Sequence, residues 1–130
     1  MSGVDVDVLG DALDAERVRR ACVLAAASAG VDGGHVAVSF VDPEEIAALN
    51  AEHRGKAGPT DVLSFPVDGD GPLGGPPELR ELGDVVICPE HTTDLTEAVV
   101  HGVLHLVGMD HETDEGEMLA VQAEIVSWLR

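Results

Sequence analysis

Apolar and acidic residues take turns in "VDVDVL", residues 4–9, and a period of two predicts a strand with one face on a core and the other in water. From about Asp14 to Ala29 the period lengthens. Val18, Cys22, Ala25 and Ala29 fall on one face of a helix that Gly30 is placed to stop. "HVAVSFV" predicts a second strand. "DPEEIAALNAEHR" follows, with Asp42 as N-cap, Pro43 at the first helical position and Glu45 completing a capping box, so a short helix comes next. A third strand, "DVLSFPV", is bounded by Pro59 and Pro66. Prolines are tolerated best on a sheet edge, where an extended ligand can also lie. The Gly/Pro-rich stretch from Val67 to Gly83 is too long for a tight connection. Its "DGDG" lacks the spacing of a calcium loop and reads as a solvated turn.

"GDVVICP" predicts a fourth strand, and a helix starts near Asp94, again with a glutamate, Glu97, three residues on. Along "LTEAVVHGVLHLVG" apolar residues occupy nearly every direction around the axis, so this helix is central and buried until Gly108 ends it. A last amphipathic helix from about Asp114 places Met118, Val121, Ile125 and Trp128 along one stripe. Strands fall before and between helices without regular βαβ alternation. The expected fold is α+β: a mixed four-stranded sheet packed with a central buried helix and flanking helices, as one domain over residues 1–130.

The central helix carries unusual chemistry for its apolarity, "HGVLHLVGMDH" at residues 101–111. His101 and His105 are four residues apart, one turn above the other on one face, where two imidazole nitrogens can converge on one ion. A left-handed Gly108 would turn the chain back and bring His111 to the same ion. Three imidazoles leave one tetrahedral position for water or substrate, the pattern of a catalytic zinc site, and they favour zinc over other divalent ions. The competing reading is three histidines satisfied separately in a core. Asp110 either orients a ligand histidine or stabilises the turn. The spacing matches the metzincin pattern H-E-x-x-H-x-x-G-x-x-H, except that Gly102 stands where the general-base glutamate belongs, so peptide hydrolysis is not expected.

A formal charge of −18 argues against nonspecific phosphate or DNA binding, because only seven residues are basic. A polyanion would have to be held by a few placed cations, a metal or a basic partner. Phe40, Phe65 and Trp128 offer no base-stacking platform. Cys22 and Cys88 make no disulfide framework, and no signal-like or membrane-spanning stretch appears, so a soluble cytoplasmic protein is expected.

Two of the basic residues, Arg54 and Lys56, sit in "NAEHRGKAGPTDVLSF", where they form a loop with Thr60 and Asp61. This block and the histidine block, with "LGDVVIC" between them, resemble the YbeY family of bacterial rRNA maturation factors. Those single-strand-specific endoribonucleases carry N-x-x-Y-R-x-x-x-x-P-T-[DN]-V-L-S-F and H-G-x-L-H-L-x-G-[YF]-D-H. The resemblance implies one Zn2+ held by His101, His105 and His111, and a required arginine at Arg54 that faces the metal across a cleft; Lys56, a basic residue of the same loop, is expected as a further substrate contact. It also implies action on single-stranded rRNA of the small ribosomal subunit, in 16S rRNA 3′-end maturation and ribosome quality control, with a small-subunit ribosomal protein and the GTPase Era as partners. Otherwise Arg54 would be a surface ion-pair partner of Glu52 or Glu45. Three departures stand out: His53 replaces the family tyrosine, Met109 replaces the aromatic before "DH", and the segment from Cys88 to His101 is shorter than in most relatives, trimming the start of the central helix and altering one wall of the cleft. Two other functions compete, a ribosome-assembly binding factor with a mainly structural zinc, and a zinc hydrolase of another ester.

Overall fold

The computed structural model describes residues 3–31, 33–55, 58, 60–66, 81–107 and 116–129. Lys56, His111 and the "DGDG" turn therefore lie outside the described residues, as do Gly108, Met109 and Asp110. Strands β1 (Gly3–Leu9), β2 (Gly33–Phe40), β3 (Val62–Pro66) and β4 (Glu81–Ile87) form a four-stranded sheet in the order β1-β2-β4-β3. β1 and β4 both run parallel to β2, while β3 is antiparallel to β4, so the sheet is mixed and β3 occupies an edge. One bulge interrupts β2 and β4: Glu81 faces His35 and Gly83 faces Val36, which leaves Leu82 over. Leu82 is buried in the core.

Helices α1 (Ala15–Ser28), α3 (Leu95–Leu106) and α4 (Glu117–Leu129) cover one sheet face, where Val36, Val38, Val85 and Ile87 meet Val18, Val99, Val103 and Met118. α2 (Pro43–Arg54) packs Ile46 against Leu63, Val86 and Cys88 on the other face. The expected caps form at Asp42 and Asp94, and Asp14 caps α1 in the same way. The carboxylates of Asp14, Asp42 and Asp94 accept hydrogen bonds from the backbone N–H groups of Arg17, Glu45 and Glu97, at 3.2, 2.8 and 3.1 Å. Gly30 and Gly55 follow α1 and α2 with φ of +80° and +67°.

Two expected faces need correction. In α1 the buried side is Val18, Ala21, Cys22, Ala25 and Ala26, and Ala29 is an exposed C-cap. In α4 it is Met118, Gln122, Ile125, Val126 and Leu129, whereas Trp128 is 55% exposed and Val121 only half-buried. The stripe lies about one position away from the expected one because the polar Gln122 belongs to it. Both cysteines are free and buried, and burial pushes the Cys22 thiol up to about 12. No helix among the described residues is long and apolar enough to cross a membrane.

Candidate active site

α3 presents two unlike sides. Toward the sheet it sits so close that a Cβ at Gly102 would overlap Val85 Cγ1 and come within 3.3 Å of Ser64 Oγ. The Ser64 hydroxyl donates to the Gly102 carbonyl at 3.0 Å, which ties "TDVLSF" to "HGVLH" directly. The glycine that departs from the protease pattern thus has a packing cause. A side chain at 102 would point into the sheet and away from the histidines.

The other side carries His101 and His105, both half-buried. Their Nε2 atoms face each other at 3.1 Å, with ring centroids 4.7 Å apart and planes at 74°. Two nitrogens at a Zn–N distance of 2.0–2.1 Å in a tetrahedron lie about 3.3 Å apart, so the observed pair fits a shared ion closely. His101 Nδ1–H donates to Gln122 Oε1 from α4 at 2.7 Å. Among the described residues no group of three or more His, Cys, Asp or Glu side chains could hold a metal; His111, the third expected ligand, lies outside them.

His101 and Gln122 line a cleft of about 350 Å³ whose other walls include Asp61 and Val62 at the start of β3 and His91 to Asp94 ahead of α3. Those four residues belong to the short connection after β4, which makes a single 3-10 turn at Pro89–His91 and is fastened by Thr92 Oγ1 donating to Cys88 O at 2.7 Å. The far end of the second block is anchored as well. Asn50 is buried and its Nδ2 donates to Gly58 O at 2.9 Å, clasping the loop that follows α2, and Asp61 O accepts from Cys88 N at 2.9 Å. His53 meets Phe65 edge to face at 4.9 Å, so the imidazole that replaces the family tyrosine still packs as a ring. Arg54 is the last residue of α2, and its side chain lies outside the described residues.

Sequence reasoning named the histidines and missed Gln122. The signal was a lone amide in the series Met118, Gln122, Ile125, Leu129, spaced for one helix face.

An α+β scaffold with paired imidazoles beside a cleft is an arrangement that metal-assisted hydrolases use. The family model described as Endoribonuclease YbeY matches residues 9–130, and the chain belongs to that family. Relatives named Endoribonuclease YbeY include one from Rubrobacter xylanophilus, 42% identical over 93% of this chain and 89% of the relative. Another, from Macrococcus caseolyticus, is 36% identical over 95% and 91%. Among solved structures, the solution structure of TM1509 from Thermotoga maritima superposes with a TM-score of 0.56 at 26% identity, covering 95% of this chain and 88% of that one.

Proposed function

We propose that this chain is a cytoplasmic, zinc-dependent endoribonuclease that cleaves single-stranded rRNA in 16S rRNA 3′-end maturation and ribosome quality control, as one domain spanning residues 1–130. The observation that carries the reading is the His101–His105 pair, with Nε2 atoms 3.1 Å apart, beside a cleft bordered by the block that contains Arg54. His101, His105 and His111 would hold one zinc ion, which when bound supplies Lewis acidity toward a phosphoryl oxygen and acidifies water.

The chain's own side chains do the rest. Arg54 donates paired hydrogen bonds to the phosphoryl oxygens and offsets the charge that builds in the transition state. Lys56 adds a cation for the flanking backbone. Asp61 and Glu97 border the cleft as carboxylates, so a polyanion enters only where these cations and the zinc outweigh them. A net charge of −18 favours RNA presented on a basic ribosomal protein over naked RNA, with a small-subunit ribosomal protein and the GTPase Era as the partners that the family resemblance suggests. The same charge supports a second reading, an assembly factor with a mainly structural zinc.

Arg54→Ala separates the two. The enzyme reading expects cleavage of a single-stranded RNA to fall about 100- to 1,000-fold, the scale of losing one transition-state donor, with zinc content and thermal midpoint unchanged. The assembly-factor reading expects little cleavage from wild type and variant alike, and strong cleavage by both would remove Arg54 from the mechanism.

A further inference from the structure

We propose that Gln122 is a positioning residue that fixes the tautomer of His101 and thereby sets the histidine pair for its metal. The inference rests on reading that pair as a metal site. Gln122 is only 8% exposed and sits on α4 in a row that is otherwise apolar, with Met118, Ile125 and Leu129. A buried amide costs stability unless its polar atoms are bonded, so the position calls for a reason. Its Oε1 lies 2.7 Å from His101 Nδ1.

A carbonyl oxygen can only accept, so Nδ1 of His101 carries the proton. In the neutral ring the lone pair is then on Nε2, the atom that faces His105 Nε2 at 3.1 Å. The opposite tautomer would put the proton on His101 Nε2 itself, the atom whose lone pair a metal needs. An amide suits this task because it holds the tautomer without adding charge to the site. It also couples the cleft to α4, whose approach to α3 determines whether the oxygen reaches the ring.

The test compares wild type with Gln122→Met, which removes the acceptor at similar volume, and with Gln122→Glu, which keeps one. Zinc affinity is measured by chelator competition, and imidazole 15N spectra of the metal-free protein report the tautomer. Gln122→Met is expected to weaken zinc binding about 10- to 100-fold and to shift His101 away from the Nδ1–H form. Gln122→Glu is expected to retain both properties. If the methionine variant does not fold, Gln122→Asn, whose oxygen is withdrawn by one methylene, takes its place with the same expectation. Equal zinc affinity and an unchanged His101 tautomer in the acceptor-free variant would overturn the inference and leave the metal reading standing. Wild-type protein that binds no zinc would overturn both.

Discussion

His35 and His101 both have ring nitrogens within hydrogen-bond distance of partners, yet the partners give them opposite chemistry. His35 lies half-buried on β2, with Nδ1 2.8 Å from both oxygens of Glu81 and Nε2 2.8 Å from Asp7 Oδ2. The Glu81 carboxylate first, and Asp7 with it, raise the His35 pKa above its ordinary value against a smaller opposing effect of burial. Both nitrogens of the charged ring are donors, so this imidazole clips β1, β2 and β4 together and has no lone pair for a metal. His101 meets a neutral amide instead, and its second nitrogen is turned to another imidazole. What surrounds a histidine, more than its presence, decides whether both ring nitrogens donate or one keeps a lone pair.

The contrast can be broken from the His101 side through Gly102. Because Val85 and Ser64 already fill the space of a Cβ there, Gly102→Ala should cost about 1–3 kcal/mol by overpacking, measured by urea unfolding. Helix propensity alone would favour alanine. Gly102→Glu, which would restore the protease spelling, should cost more and yield no peptidase, since the carboxylate would be driven into the sheet. A stable Gly102→Glu protein with peptidase activity would show that α3 is turned otherwise.

The His35 side responds more weakly and with a definite sign. A histidine whose folded pKa is raised contributes stability that is fully present below the unfolded value of about 6.5 and is lost as pH rises through the folded value. His35→Gln should therefore lower stability in mildly acidic solution by less than about 1 kcal/mol, as exposed pairs do, and the gap should close on moving to alkaline pH. Zinc affinity should not change. A gap that widened with pH would mean that the ring is neutral between its carboxylates.

How much of this could be read from the sequence depends on whether the cause was local. Caps at Asp42 and Asp94 act within one turn, and the i, i+4 histidines share a face by helix geometry alone, so these were legible. The edge position of β3 was legible too, because proline's lost donor is a local fact. Strand order was not, since it depends on pairings between distant segments. Gln122 was hidden because its reason is a ring on another helix, and Trp128 was misplaced because an apolar residue at the end of a helix looks like core from its type alone. Gly102 was noticed for the carboxylate it lacks, while its cause was the closeness of Val85.

If the His101 side of α3 is a zinc-dependent centre for cleaving RNA, as proposed, cleavage must depend on the metal. The most direct measurement is cleavage of a single-stranded RNA by the whole protein after chelation and then after titration with zinc. Activity should disappear on chelation and return in full at one equivalent of zinc. Unchanged cleavage by the chelated protein would show that the metal is not needed.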